Sequence, residues 1–347
     1  MNILLNGVGR IGKAILRILN NQKDINIVVI NELNSDIENI VYSINYDSTY
    51  GRFNDPYCLH KNSYIKNKQS KIKILNKKSL LKVNYEKYNI DIIIDASGSK
   101  IKIEKLKQLK VKKIFITNPN KDADINMILG VNDNHYNNKA DKVISTSSCN
   151  ATALLPILKL VDDNYNILCG DILTVHPLLN HQKVLDSSCI SNSDRSIKCN
   201  FEFGRGSVSN IIPSKTTTIT ACSFVDSSIN SSKISSSSLR VPTDTVGAIN
   251  VTLMLKNNIE KEKFIGLCEK YQKNQKNDII FNNYEALVSS DFKSQNFTTI
   301  IDHRFTEVIN NKMLKLIIWY DNEWGYASKV VDIIVKTSNI TLVSKSK

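Results

Sequence analysis

Up to about residue 148, short apolar runs of strand length alternate with stretches whose apolar residues recur at helical spacing. Residues 1–6 read as a buried strand, and a helical pattern occupies 13–19. Further strand patterns fall at 25–30, 91–98, 111–117 and 142–146, with a Lys-rich amphipathic helix at 101–109. Such alternation predicts an α/β domain with a parallel sheet and helices on both faces. After Cys149 the strand patterns follow one another, at 167–175, 234–242, 246–256, 297–302 and 312–320. One Lys- and Glu-rich helix interrupts them at 260–273. The second domain is therefore expected to be α+β with a mostly antiparallel sheet. The apolar face of 327–335 has helical spacing and needs a partner. These patterns give an expected domain of 1–148, rejoined by a C-terminal helix within 323–347, and a second domain of 149–322. Residues 177–203, rich in Ser, Asn and Cys, read as a long loop of the kind that is functional or lies at an interface.

The first strand leads into Gly7-Val8-Gly9-Arg10-Ile11-Gly12, a G-x-G-x-x-G turn that opens a helix. Strand, turn and helix together are the context of a Rossmann-type dinucleotide site. Gly7 permits the turn, Gly9 lets the backbone approach a pyrophosphate, and Gly12 allows close helix-to-strand packing. The second strand pattern ends at Asn31-Glu32. An acid there binds a ribose 2′-hydroxyl and repels a 2′-phosphate, which points to NAD. Ser97 and Thr117, at the ends of later strands, are expected to border the same crevice.

A second constellation is Cys149 with His176. Cys149 lies in Ser147-Ser148-Cys149-Asn150, between a strand pattern and an apolar helical run. That position is the first turn of a helix, where unpaired N–H groups and the helix dipole favour a thiolate. His176 ends the next strand pattern, and a thiol beside an imidazole is a nucleophile with its own acid or base. The pattern predicts that the two meet.

Composition narrows the class. The chain has 347 residues, 41% of them hydrophobic, enough for two cores. No apolar run approaches the length of a membrane helix, and the start is broken by Asn2, Asn6, Gly7, Gly9 and Arg10, so a soluble, leaderless cytoplasmic protein is expected. Seven cysteines without a C-x-x-C pair suit a reducing compartment and give no metal pattern. Cys169, Cys189, Cys199, Cys222 and Cys268 read as structural or incidental. The net charge of +13 raises nucleic acid as a partner. The basic residues are scattered without an interleaved aromatic motif, so attraction of anionic substrate and cofactor fits better.

Motifs along nearly the whole chain carry a resemblance. They are Asn6-Gly7-Val8-Gly9-Arg10-Ile11-Gly12, Tyr46-Asp47-Ser48-Thr49-Tyr50-Gly51-Arg52-Phe53, Gly130-Val131-Asn132, Ser148-Cys149, Thr174-Val175-His176, Asn210-Ile211-Ile212-Pro213, Arg240-Val241-Pro242-Thr243 and Trp319-Tyr320-Asp321-Asn322-Glu323-Trp324-Gly325-Tyr326. In these the chain resembles phosphorylating glyceraldehyde-3-phosphate dehydrogenase and its relative erythrose-4-phosphate dehydrogenase. The resemblance implies that Cys149 attacks an aldehyde and that His176 takes a proton as hydride passes to NAD. It also implies that inorganic phosphate cleaves the thioester, in glycolysis and gluconeogenesis. It places Arg10 and Ile11 beside the pyrophosphate, Asn322 on the nicotinamide amide, and Arg240 on substrate phosphate. Ser148, Thr216 and Thr217 fall at the phosphate sites, and a homotetramer is implied.

The departures from the family pattern lie at those phosphate sites. Asn150 and Ala151 replace hydroxyl residues after the cysteine, with the Asn150 amide still expected to donate to a phosphate; Leu179 and His181 stand where a threonine and an aspartate are usual, and Thr217 replaces a common glycine. Glu32-Leu33 looks more like the erythrose branch. Two alternatives therefore accompany the glyceraldehyde 3-phosphate reading. One is a longer aldose phosphate with water or phosphate as acyl acceptor. The other is a non-catalytic basic RNA-binding relative.

Overall fold

A computed structural model of the chain describes residues 1–20, 22, 24–61, 63–189 and 201–338. By its internal packing the chain divides into two compact units, Met1–Ser148 together with the chain from Glu323 on, and Cys149–Asn322.

The first unit is built on a sheet whose strands lie in the order Ile125–Asn126, Val143–Ser145, Lys113–Ile116, Ile92–Asp95, Asn2–Asn6, Asn26–Asn31, Lys71–Leu75, Tyr64–Lys66 and Cys58–His60. All neighbours as far as Lys71–Leu75 are parallel, and the last two strands add an antiparallel edge. Central strands are continuous apolar runs: Ile3, Leu4, Leu5, Ile93 and Ile94 are all fully buried, as a sheet covered on both faces requires. The strand Lys71–Leu75 follows a different rule. In Lys71-Ile72-Lys73-Ile74 the isoleucines are buried and the lysines turn outward. This strict alternation was legible in the sequence, but the lysines make the stretch look like a solvated basic patch. The helix Ile37–Asn45, capped by Asp36 accepting from the Asn39 N–H, is a further element that the sequence patterns do not announce.

From Asn2–Asn6 the chain moves outward on one side to Asn26–Asn31 and Lys71–Leu75, then returns to Ile92–Asp95 on the other. That reversal makes a crevice at the carboxyl ends of the central strands. Side chains knit the ends together: Asn31 Nδ2 donates to Asn6 Oδ1 at 2.7 Å, and Asn6 Nδ2 donates to Asp95 Oδ1 and Ser97 Oγ at 2.9 Å each. The C-terminal helix Trp324–Thr337 packs on the helix Arg10–Leu19 of this unit.

The second unit has a mixed sheet in the order Ile212–Ser214, Ile234–Arg240, Ile167–His176, Gly247–Leu255, Met313–Tyr320, Thr299–Asp302 and Ile280–Asn283. Most pairs are antiparallel, as expected. Ile167–His176 and Ile234–Arg240 are parallel, and so are Ile280–Asn283 and Thr299–Asp302. The first of these pairs sets His176 opposite Arg240 in register. Against the sheet packs the helix Cys149–Tyr165, buried over most of its length and tied down where Thr299 Oγ1 donates to the Ala153 carbonyl at 2.7 Å. Of the expected loop 177–203, residues 190–200 lie outside the described part, Cys199 among them. Cys58, Cys149, Cys169, Cys222 and Cys268 are free thiols. Among the described residues no helix is long and apolar enough to cross a membrane.

Candidate active site

In the first unit, a pocket of about 400 Å³ is lined by Gly7, Gly9, Glu32, Leu33, Lys77, Lys78, Ser97 and their neighbours. The three glycines serve it differently. Gly7 has φ +86°, a conformation L side chains rarely adopt. A Cβ on Gly12 would stand 2.0 Å from the Gly7 carbonyl oxygen, whereas one on Gly9 would meet nothing within 4 Å and would fill the open cradle itself. Such a cradle at the N-terminus of the helix Arg10–Leu19 fits a pyrophosphate.

Glu32 is held in place. Its Oε2 accepts from the Val8 N–H at 2.9 Å and its Oε1 from the Leu33 N–H at 2.7 Å, so the acid is fixed to the glycine turn at the edge of the pocket. Ser97 lines the pocket and donates to Asp95 Oδ1 at 2.6 Å. Thr117 ends its strand with the hydroxyl on the Asp95 carbonyl at 3.2 Å and is not among the lining residues.

Arg10 has a second task that its motif does not announce. Its Nη1 donates to Asp47 at 2.5 Å and its Nη2 to Glu323 at 2.6 Å. Burial alone lowers the guanidinium pKa, but the Glu323 and Asp47 carboxylates outweigh that and raise it. Asp47 responds in kind. Burial would raise its pKa, yet hydrogen bonds from Lys13 and the Tyr50 N–H, with the Arg10 charge, hold it down at about 2. The Arg10 side chain thus clasps its own unit, which leaves only the backbone of Arg10 and Ile11 for a phosphate.

At the end of the first unit, Ser147 sits at φ +59°, a left-handed conformation uncommon outside glycine. The Tyr326 hydroxyl donates to the Ser147 carbonyl at 3.1 Å and bonds the Thr146 hydroxyl at 2.8 Å. The C-terminal helix therefore pins the strained turn that precedes Ser148 and Cys149. Strain of this kind costs of order 1–3 kcal/mol and gathers at functional sites.

In the second unit, Cys149 is the first residue of the helix Cys149–Tyr165, and its Sγ lies 4.0 Å from His176 Nε2. The other ring nitrogen, Nδ1, is 2.8 Å from the Pro177 carbonyl oxygen. A carbonyl only accepts, so the proton is on Nδ1 and the Nε2 lone pair faces the sulfur. His176 is 4% exposed. Burial, reinforced by the Arg240 charge, lowers its pKa to about 3, so it is a neutral base at pH 7.

Arg240 is itself largely enclosed. Burial lowers its pKa, against the influence of Tyr320 and Cys149. Its Nε and Nη1 are buried and have no hydrogen-bond partner among the described residues. A guanidinium in that state lacks an anion.

Asn150 does not present itself to a phosphate. Its Oδ1 accepts from the Tyr320 hydroxyl at 2.7 Å and its Nδ2 donates to Thr218 Oγ1 at 3.2 Å; Thr218 Oγ1 in turn lies 2.6 Å from Thr216 Oγ1. Burial holds the Tyr320 pKa well above its ordinary value, so the phenol keeps its proton and donates. Tyr320 and Thr218 thus brace Asn150, the residue next to the nucleophile. Thr216 ends this chain, and Thr217 is exposed before the short helix Thr218–Ser223. Asn322 is buried, with Oδ1 accepting from the Val246 N–H at 3.1 Å, and Val246 is at φ +64°, an outlier for a β-branched residue.

Sequence reasoning missed Asp47, Glu323, Tyr320 and Tyr326 as supports. Three of the four stand inside the motif 319–326, where pattern alone does not distinguish support from contact.

A doubly wound nucleotide-binding unit, joined in one chain to a unit carrying a thiol–imidazole pair, defines an NAD-dependent oxidoreductase. Comparisons with known proteins agree. Residues 1–103 match the NAD binding domain of glyceraldehyde 3-phosphate dehydrogenase, and residues 148–322 match the C-terminal domain of the same enzyme. The chain is 33% identical over 337 residues to glyceraldehyde-3-phosphate dehydrogenase of Buchnera aphidicola subsp. Schizaphis graminum, covering 96% of this chain and 98% of that one. It is 32% identical over 337 residues to the Phytophthora infestans enzyme of the same name, and 31% to glyceraldehyde-3-phosphate dehydrogenase 1 of Kluyveromyces marxianus, with the same coverage. The chain belongs to the glyceraldehyde-3-phosphate dehydrogenase family.

Proposed function

We propose that this protein oxidises glyceraldehyde 3-phosphate with NAD and inorganic phosphate to 1,3-bisphosphoglycerate, in glycolysis and gluconeogenesis, through a covalent intermediate on Cys149. The observation that carries the reading is the Cys149 sulfur 4.0 Å from the unprotonated face of His176, beside an Arg240 guanidinium with two buried, unpartnered nitrogens.

The Cys149 sulfur adds to the aldehyde carbon and the carbonyl oxygen takes up a proton, giving a thiohemiacetal. Bound NAD supplies the hydride acceptor for this carbon. His176 Nε2 takes the hydroxyl proton as the C–H electron pair leaves, and a thioester remains. A phosphate oxygen then attacks the acyl carbon, the C–S bond breaks, and the sulfur leaves as thiolate. Neutral His176 suits the oxidation, since a base already protonated cannot accept the proton.

Gly7, Gly9, Gly12 and the backbone of Arg10 and Ile11 would hold the pyrophosphate, Glu32 the ribose, and Asn322 the nicotinamide amide. Ser97 and Thr117 would close the crevice. Arg240 would bind a phosphate, with Ser148, Thr216 and Thr217 as hydroxyl donors. Asn150 supports this site from beneath. The homotetramer that the family resemblance implies, and a cytoplasmic location, belong to the same proposal.

The test is NADH formation by the purified protein with glyceraldehyde 3-phosphate and NAD, with and without inorganic phosphate. Rapid turnover only with phosphate is expected. Equal turnover without it would make water the acceptor, faster turnover of erythrose 4-phosphate would change the substrate, and oxidation of neither aldehyde would overturn the reading.

A further inference from the structure

The strand Asn26–Asn31 delivers Glu32 to the nucleotide pocket, and its parallel neighbour Lys71–Leu75 delivers the opposite charge beside it. Asn31 pairs with Leu75 in register, and the segments that leave the two strands are laced together. The Glu32 N–H donates to the Leu75 carbonyl at 2.9 Å. The Lys77 N–H donates to Asn31 Oδ1 at 2.8 Å, and Asn31 Nδ2 donates back to the Lys77 carbonyl at 2.9 Å. Asn76 Nδ2 spans the gap, donating to the Glu32 carbonyl at 3.1 Å and the Leu33 carbonyl at 2.6 Å. This frame fixes the backbone of 76–77, and from it Lys77, Lys78 and Ser79 line the same pocket as Glu32.

Glu32 is less free to discriminate than its position in the sequence suggests. Its two oxygens accept from three backbone N–H groups, those of Val8, Leu33 and, at 3.3 Å, Asn34. A carboxylate has about four acceptor sites, so about one is left for a ribose hydroxyl. The lysines are differently placed. Both are exposed, and neither ammonium has a hydrogen-bond or ion-pair partner among the described residues. The Ser79 hydroxyl accepts from the Leu81 N–H at 3.3 Å and keeps its own hydrogen to donate. An acid alone at the end of this strand repels a 2′-phosphate. Here two cations and a hydroxyl on the neighbouring strand offset that repulsion and leave this rim of the pocket positive.

We propose that Lys77 and Lys78 are specificity-determining residues that let the pocket take the 2′-phosphorylated dinucleotide NADP as well as NAD. The two ammonium groups meet the 2′-phosphate by charge-assisted hydrogen bonds, and Ser79 adds a neutral donor. With NAD, the remaining acceptor site of Glu32 takes the ribose hydroxyl instead. The inference rests on the dinucleotide site alone and is independent of which aldehyde is oxidised.

Equilibrium binding to the full chain tests it, by calorimetric titration with NADP and with NAD in separate experiments. The wild type should bind NADP within about 10-fold of NAD. The double variant Lys77→Met/Lys78→Met keeps the apolar stems and removes the charges, so the ratio of the NADP to the NAD dissociation constant should rise about 10-fold or more. Lys270→Met/Lys273→Met, on the helix Lys261–Asn274 of the other unit, removes the same charge elsewhere and should leave the ratio as in the wild type. A wild type that takes NAD but binds NADP more than about 10-fold more weakly would overturn the proposal and leave the cofactor assignment standing. An unchanged ratio in the first variant, or an equal rise in the second, would also overturn it. If the wild type binds neither dinucleotide, the proposal falls together with the site. A second readout uses the adenosine half alone: 2′,5′-ADP should displace bound NAD at lower concentration than 5′-AMP, and added KCl should shrink that advantage, because exposed charges are screened. Displacement by 2′,5′-ADP no better than by 5′-AMP would contradict the proposal.

Discussion

His176 and Arg240 face each other in register on two parallel strands, so a base and a cation rise from the same side of one sheet. The pairing is a product of topology. Residues 167–176 and 234–240 are far apart in sequence, and a parallel partner for the His176 strand is not visible in the strand patterns. Its effect is chemical: the Arg240 charge adds to burial in keeping the imidazole neutral.

That neutrality predicts a pH dependence of stability. The folded-state pKa of His176 lies at about 3, below its ordinary 6.5. As pH falls below 6.5 the unfolded chain binds a proton that the folded chain refuses. The contribution of His176 is thus fully present above pH 6.5 and is lost progressively as pH falls toward 3. Between pH 7 and pH 5 the wild type should lose about 2 kcal/mol more than His176→Asn, because other titrating groups are common to both. Urea unfolding at the two pH values measures the difference. Equal losses in both proteins would show that His176 is protonated in the fold.

Two glycines in the same turn should fail in opposite ways. Gly12→Ala forces a methyl against the Gly7 carbonyl and should destabilise the unit by about 3 kcal/mol or more. Gly9→Ala meets nothing in the protein. It should melt within a few degrees of wild type yet bind NAD about 10-fold or more weakly, because its methyl occupies the pyrophosphate cradle. Thermal melting and NAD titration by tryptophan fluorescence report the two effects separately.

Tyr320 acts on the nucleophile through Asn150. Removing its hydroxyl in Tyr320→Phe deletes the 2.7 Å bond to Asn150 Oδ1 and should cost about 1–2 kcal/mol of stability. Asn150 is then free to shift beside Cys149, so kcat should fall with KM little changed. A variant with lowered stability and unaltered kcat would show that Asn150 is held well enough by Thr218.

Much of the fold lay in local pattern. The glycine turn, the strand before it and Glu32 needed only spacing. The placement of Cys149 at a helix start and His176 at a strand end came from where apolar periodicity changes. The features that escaped depend on partners remote in sequence. The clasp of Arg10 joins Asp47 and Glu323 from distant segments. The left-handed Ser147 exists because Tyr326 and the surrounding packing hold it. Asn150, taken from sequence as a phosphate donor, is turned inward by Tyr320 and Thr218, neither of which is near it in the chain. The strand Lys71–Leu75 was hidden by its lysines despite a period-two pattern.

The covalent role of Cys149 is the central claim, and mass spectrometry of the intact protein tests it most directly. The protein is mixed with glyceraldehyde 3-phosphate and NAD without inorganic phosphate, quenched in acid, and mapped by peptide. The account predicts a burst of NADH no larger than one per chain and an acyl adduct on Cys149, discharged when phosphate is added. In Cys149→Ser both burst and adduct should vanish, with steady turnover down by roughly three orders of magnitude or more. An adduct on another residue, or near-normal turnover in Cys149→Ser, would contradict it.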